Sequence, residues 1–266
     1  MKAICVYRRQ YQHRWIEAFA QGLKRHGVDV GIERHAAPCD LLVLWGIRDE
    51  DGIRAQRKAD GEICILERGY IDDRFKFCSV SFGGRLNGRA EFRGPLQDGS
   101  RWETQFSHLM QPWRKRDGYA LLIGQIATDK SLAGVDIMKW YKRTAATLRE
   151  QGWEVFFRPH PGEEQRAERT KVEGVQKLKG SLQEALDGTG LVVTWNSNTG
   201  VEGVLSGVPA VSCNDGSMAW PVTAHTPGEV ITPDRTEWAH AIAWKQFSMP
   251  EIASGFAAEA TGLCQS

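Results

Sequence analysis

Three short stretches in the second half of the chain combine residue types that hold phosphates and sugar hydroxyls. The first is Gly124-Gln125, followed closely by Thr128, Asp129 and Lys130. A glycine directly after an apolar run lets the backbone approach a phosphate, and the amides of such a turn are donors to an anion. An ordinary strand-to-helix turn uses the same residues. The second is Arg158-Pro159-His160-Pro161-Gly162. Its two prolines keep the backbone extended around His160. His160 then supplies a hydrogen bond to a diphosphate, and Arg158 a charge-assisted one. The third is Ser197-Asn198-Thr199-Gly200-Val201-Glu202-Gly203, with Gly207-Val208-Pro209 after it. Small hydroxyl and amide side chains at a helix start make an anion cradle, and Glu202, one turn in, is placed to accept the two hydroxyls of a ribose. Plain N-capping by Ser197 or Asn198, with Glu202 favoured by the helix dipole, fits that stretch equally well.

Each stretch follows an apolar run, and such runs alternate with helical spacing along the chain. In the first half, residues 3–7, 28–32, 41–45 and 63–66 read as strands, and 14–26 and 49–59 as helices. The uninterrupted run Leu41–Trp45 fits a parallel strand buried on both faces. From 67 to 112 the pattern breaks into Gly, Arg and aromatic residues with no assignable elements, and 113–118 reads as an interdomain linker. The second half resumes with strands at 119–123, 154–157, 191–194 and 208–212. Its helices are expected at 135–150, 181–186 and 200–205, with two final ones at 238–245 and 251–263. The cadence predicts an α/β protein with two Rossmann-like halves, whose ligands meet the carboxyl ends of the strands.

The 266 residues suffice for two small domains, and 41% hydrophobic with 25% charged residues is ordinary for a globular chain. No run approaches a membrane span or a secretory leader, which predicts no stable membrane insertion. The six cysteines include no CxxC pair and lie largely in apolar runs, so they read as free thiols in a reducing cytoplasm. No metal site is expected from their spacing. The halves differ in charge: residues 1–116 hold 21 Lys+Arg against 15 Asp+Glu, and residues 117–266 hold 13 against 18. A basic first half hints at an anionic partner there, although scatter of surface charge produces the same balance. The absence of Walker, GxGxxG and GxSxG motifs removes support for P-loop, dinucleotide-binding and α/β-hydrolase readings.

Taken in order, Gly-Gln, Arg-Pro-His-Pro-Gly and Ser-Asn-Thr-Gly-Val-Glu-Gly-Val-Leu-Ser-Gly-Val-Pro resemble the C-terminal domain of GT-B glycosyltransferases of the capsular-polysaccharide and polysialyltransferase kind, over roughly residues 119–215. The resemblance implies two Rossmann-like domains facing across a cleft. Residues 1–115 would form an acceptor-binding domain, and 116–266 a nucleotide-sugar domain whose final helices cross back. It implies donor binding by His160, Ser197, Asn198, Thr199 and Glu202, to which the turn chemistry above adds Gly124, Gln125 and Arg158. Asn198 departs from the Ser or Thr usual at its position. It also implies a metal-independent, inverting transfer with no cofactor beyond a nucleotide-sugar co-substrate; UDP-glucose is the default donor as the commonest nucleotide sugar, with CMP- and GDP-sugars as alternatives.

The first half resembles that family only in layout. The segment 67–92 is also similar to small phage enzymes that glycosylate hydroxymethylated DNA bases. That implies duplex DNA as a partner and a host cytoplasm as the location. Glu67, Asp72 and Asp73, just after a strand, are the candidate bases for the acceptor hydroxyl. Arg68, Tyr70, Arg74, Arg85 and Arg89 are the candidate acceptor contacts, with Lys76, Arg93 and Arg101 and several phenylalanines interleaved, since cations track phosphates and aromatics stack on bases. The alternatives are a cell-surface or capsular glycan as acceptor, and a non-catalytic nucleotide-binding module.

Overall fold

The computed structural model describes residues 1–115, 117–163, 172 and 174–264. Position 116 of the expected linker lies outside them. The chain begins with β1 (Lys2–Val6), α1 (Gln10–Arg25), β2 (Asp29–Glu33), β3 (Leu41–Trp45), α2 (Glu50–Lys58), β4 (Glu62–Arg68), β5 (Phe77–Phe82) and α3 (Ser100–Gln105). It continues with β6 (Tyr119–Ile123), α4 (Ile137–Glu150), β7 (Val155–Arg158), β8 (Gln176–Lys177), α5 (Leu182–Asp187), β9 (Thr189–Thr194), α6 (Thr199–Leu205) and β10 (Ala210–Ser212). The last elements are α7 (Thr236–Ala243), β11 (Gln246–Ser248), α8 (Met249–Ala253) and α9 (Phe256–Ala260).

Two compact units result. One is Met1–Phe106 with the segment from Thr236 onward, and the other is Ser107–Arg235. The division therefore falls nine residues before the expected one at 115/116. The reason is visible around 113–114. The Trp113 indole donates to the Pro233 carbonyl at 3.0 Å, and the Arg114 amide donates to Gly207 O at 2.7 Å. These bonds make the expected linker part of the second unit.

The first unit holds a six-stranded sheet in the order β11-β5-β4-β3-β1-β2. β2, β1, β3 and β4 run parallel, while β5 is antiparallel to β4 and β11 antiparallel to β5. Leu41, Leu42 and Val43 of β3 are fully buried, as a central strand covered on both faces requires. α1 lays Trp15, Ile16, Phe19 and Leu23 on this sheet. Burial of such side chains contributes about 1.5–3 kcal/mol each. The helix starts at Gln10, four residues earlier than its spacing predicts, because Gln12 Oε1 accepts from the amides of Arg8 and Arg9 at 2.9 and 3.0 Å and closes its first turn.

β5 lies inside the stretch where no element was legible. Its two buried serines break the apolar pattern, and Ser81 Oγ donates to Ile65 O at 3.3 Å instead of packing as an apolar group. β11 was likewise missed, because the helix expected at 238–245 stops at Ala243 and a three-residue strand follows. The single helix expected at 251–263 is two short ones, divided where Gly255 adopts φ +89°. Arg101, almost completely buried, fixes this return. It donates to Ala243 O at 2.8 Å and Gln246 O at 3.0 Å, and pairs with both carboxylate oxygens of Glu251.

The second unit holds a five-stranded, wholly parallel sheet in the order β10-β9-β6-β7-β8. α4 buries Ile137, Trp140, Tyr141, Thr144 and Leu148 against it, the face its spacing predicts. Among the described residues no helix is long and apolar enough to cross a membrane.

Candidate functional site

β9, β6 and β7 are neighbours in the second sheet and end at Thr194, Ile123 and Arg158. The three chemically suggestive stretches therefore stand side by side on one edge, about 5 Å apart per strand. Gly124 is tied to the middle of this edge, its amide donating to Arg158 O at 2.8 Å. A Cβ there would sit 3.0 Å from the Pro159 Cα and from the Phe157 ring, so glycine lets the β6 turn pass against the β7 turn. The Gln125 amide donates to the Tyr141 hydroxyl at 2.7 Å. Both turn amides are thus committed inside the protein, which corrects the expectation that they cradle an anion. Gln125 also uses its side chain internally: Nε2 donates to Asn196 Oδ1 at 2.7 Å, and Oε1 accepts from the Asn196 amide at 3.0 Å. Gly124 and Gln125 position the edge.

His160 follows β7 and is partly exposed. Its Nδ1 accepts from the Gly162 amide at 3.0 Å. An accepting Nδ1 places the proton of the neutral ring on Nε2, so this backbone contact sets the tautomer. Arg158 is anchored by a bond from Nη1 to Gly180 O at 2.8 Å.

The third stretch opens α6. Ser197 N donates to Thr194 Oγ1 at 2.9 Å, and Ser197 Oγ accepts from Thr199 N at 3.3 Å. Asn198 occupies the N-cap position without a side-chain capping bond, so the capping falls to Ser197. The amides of Gly200 and Val201 close on Ser197 O and Asn198 O. What this turn offers a ligand is therefore chiefly its side chains, with Ser197, Thr199 and Glu202 all partly exposed.

In the first unit the corresponding edge is formed by β1, β3 and β4. Glu67 is partly buried near the end of β4, where Oε1 accepts from the Arg68 amide at 3.1 Å. The chain leaves β3 through Gly46 at φ +65°, and a Cβ there would lie 3.4 Å from Glu67 Oε2. Asp73 is occupied as a turn residue: Oδ1 accepts from Phe75 N at 3.0 Å, and Oδ2 lies 3.6 Å from Lys76 Nζ. Asp72 is exposed, with φ +58°.

The five expected acceptor contacts do not form one surface. Tyr70 is buried, and burial pushes its hydroxyl well up while it donates to Ser79 Oγ at 3.3 Å, so it faces no acceptor. Arg74 Nε donates to Gly69 O at 2.8 Å. Arg68 and Arg74 stand at the carboxyl end of β4. Because β5 runs antiparallel, Arg85 and Arg89 follow it to the opposite end, where Arg57 also donates to Gly83 O at 2.8 Å. β4 has seven residues, so about 20 Å separates the two ends. Arg93 pairs with Glu62 and Glu91, and Arg101 belongs to the core. Among the described residues no group of three or more His, Cys, Asp and Glu side chains is arranged to hold a metal ion.

No family model matches the chain, and no curated protein matches its sequence. Solved structures do match. The beta Kdo 2,7 transferase of Thermosulfurimonas dismutans KpsC superposes with a TM-score of 0.62 at 14% identity, covering 97% of this chain and 99% of that one. The beta Kdo 2,4 transferase of the same organism's KpsC superposes with a TM-score of 0.62 at 17% identity, covering 93% and 92%. The fold is GT-B-like.

On this GT-B-like frame, the residues that hold together the edge formed by the ends of β9, β6 and β7 were not among the expected site residues. Asn196, almost buried, bonds Gln125, Ser131 O at 3.2 Å and Asn214 Oδ1 at 3.2 Å, and so joins the turns after β6, β9 and β10. Burial pushes the Tyr141 hydroxyl up to about 12, which keeps it protonated where it receives the Gln125 amide. Asn196 was legible as the second residue after the β9 run. Tyr141 was legible only as an apolar helix-face residue, because its hydroxyl role depends on which turn α4 covers.

Proposed function

We propose that this chain is a glycosyltransferase that moves a sugar from a nucleotide-activated donor to a hydroxyl of a glycan. The observation that carries the reading is the placement of His160, with its tautomer fixed, two strands from Ser197, Thr199 and Glu202 on one sheet edge. Two strand spacings are about 10 Å, the reach of a nucleotide with its phosphate. In this reading His160 Nε2–H and Arg158 bind the phosphate, with help from the hydroxyls of Ser197 and Thr199. Asn198 borders them, and Glu202 accepts the ribose hydroxyls. These groups offset the charge that grows on the departing nucleotide.

Glu67 is the base. It takes the proton of the acceptor hydroxyl as that oxygen attacks the anomeric carbon. The bond from that carbon to the phosphate oxygen breaks, and the nucleotide leaves with the electron pair. A single displacement of this kind inverts the anomeric centre. Asp73 is less suited because its turn occupies it, and Asp72 because it is exposed.

A glycan acceptor is favoured over DNA for two reasons. The arginines that were to track a duplex are split between opposite ends of β4, and the solved neighbours named above are Kdo transferases. Kdo is accordingly the first sugar to test. The purified protein is offered CMP-Kdo, UDP-glucose and other nucleotide sugars, with Kdo-terminated glycans or hydroxymethylated duplex DNA as acceptor, and products are read by mass spectrometry. Transfer to a glycan is expected. His160→Ala should weaken donor binding, and Glu67→Gln should lower turnover roughly 10²–10⁴-fold with donor affinity kept. Hexosylated DNA nucleosides would return the acceptor to DNA. Donor binding with no transfer to any acceptor would make the chain a binding module.

A further inference from the structure

The carboxyl edge of the first sheet carries a feature that the donor chemistry leaves unused. β4, β3 and β1 are neighbours, and each carries an arginine at or shortly after its carboxyl end: Arg68 ends β4, Arg48 stands three residues after β3, and Arg8 two after β1. Two strand spacings put this row of cations across about 10 Å. Arg8 is held by Asp49 at 3.1 Å, and Asp49 in turn caps α2 by accepting from Gly52 N at 3.2 Å. Arg8, Arg48 and Asp49 line one pocket together with Gln12, Trp45 and Gly46.

Arg68 has an unusual setting. Its guanidinium lies over the rings of Phe75 and Tyr11, 4.5 and 5.7 Å from their centroids. Among the described residues no carboxylate forms an ion pair with it. Both rings are themselves exposed, Phe75 at 62% and Tyr11 at 45%, and Tyr11 stands edge-on to Trp45 at 6.0 Å. Rings that flank a guanidinium hold its fork of donors in one orientation, suited to a carboxylate. The same rings offer flat apolar faces to the C–H face of a sugar. Glu67 lies one residue from this arginine.

We infer that the Arg8–Arg48–Arg68 row, with Tyr11, Trp45 and Phe75, is a binding site for a carboxylated saccharide, the acceptor of the transfer. The inference rests on the glycosyltransferase reading for the word acceptor, but not for the chemistry of the site. A neutral saccharide would leave the Arg68 fork without an anionic partner. A duplex would need the cations of both ends of the sheet, which lie too far apart to share one groove.

Binding of tetragalacturonate and of a Kdo disaccharide glycoside to the full chain is measured by calorimetry. Their carboxyl-reduced forms and a short DNA duplex serve as comparisons, and CMP-Kdo and UDP-glucose binding is measured in parallel. The acidic saccharides should bind at least roughly 10-fold more tightly than the reduced ones. Arg68→Gln should abolish that difference, Arg48→Gln should reduce it, and Phe75→Ala should weaken both forms. All three variants should keep donor affinity and thermal stability. Equal binding of acidic and reduced saccharides, a preference for the duplex, or an unchanged preference in Arg68→Gln would overturn the site. Acidic binding without affinity for any nucleotide sugar would keep the site and remove the transferase reading. Donor binding without acidic-saccharide preference would do the reverse.

Discussion

Lys245 shows how far a single side chain departs from its usual surroundings in this fold. It is mostly buried and its Nζ lies 4.9 Å from the centre of the Phe92 ring, but no acidic side chain faces it among the described residues. Burial alone pushes its pKa down. The unfolded chain then binds the proton more readily than the folded one, so this residue costs stability at neutral pH. That cost disappears as pH rises through the depressed pKa toward the ordinary lysine range. Lys245→Met keeps the length and the aromatic contact and removes the charge. It is expected to raise stability by about 1–2 kcal/mol at pH 7, and by less at pH 10. Thermal melts of both proteins at the two pH values check this. A variant that is less stable at pH 7 would mean that the ring contact outweighs the desolvation.

Between elements, the edge formed by the ends of β9, β6 and β7 depends on a few polar cross-links rather than on apolar packing. Asn196 joins three turns, and removal of its buried side chain takes the acceptor from Gln125 Nε2 and one of two donors from Asn214 Oδ1, which keeps the Gly216 amide. Asn196→Ala should cost about 1–3 kcal/mol in denaturant unfolding. It should also loosen nucleotide binding, since the turn of His160 touches this network through Gly124. Unchanged stability and affinity together would show that the network is not what sets the edge. This level also marks what could be read in advance. The apolar strands Leu41–Trp45, Tyr119–Ile123 and Leu191–Thr194, the face of α4 and the order of the three turns were visible, because hydrophobic period and turn chemistry are local. β5 and β11 were hidden, one by its serines and the other by its length. Antiparallel pairing of β5 then reversed where Arg85 and Arg89 lie, and no local pattern states the direction of a strand. The roles of Gly124 and Gln125 changed for the same reason: their partners Arg158, Tyr141 and Asn196 come from other elements.

At the scale of the whole molecule, the first unit is assembled from two separated lengths of chain, and the pair Arg101–Glu251 fastens them. Burial opposes ionisation of Glu251, but hydrogen bonds from Arg101 and Ser248 outweigh it and hold its carboxyl below the ordinary value. A depressed carboxylate pKa gives stability that is present above the unfolded value, about 4.3, and is lost as pH falls through the folded one. Arg101→Met removes the cation, strands Glu251 and two carbonyls, and should cost about 3–5 kcal/mol. It should also flatten the acid side of the stability profile, which urea titrations between pH 3 and 7 would reveal. A small loss with an unchanged profile would place the fastening elsewhere, for example on Gln246. The same split has a consequence in time. During synthesis the whole of the second unit is made before β11 exists. At typical elongation rates of 5–20 residues per second, the roughly 160 residues between β5 and β11 take about 8–30 s to appear. For that interval β5 is an open sheet edge on a nascent chain. The half of the protein written first is the half finished last.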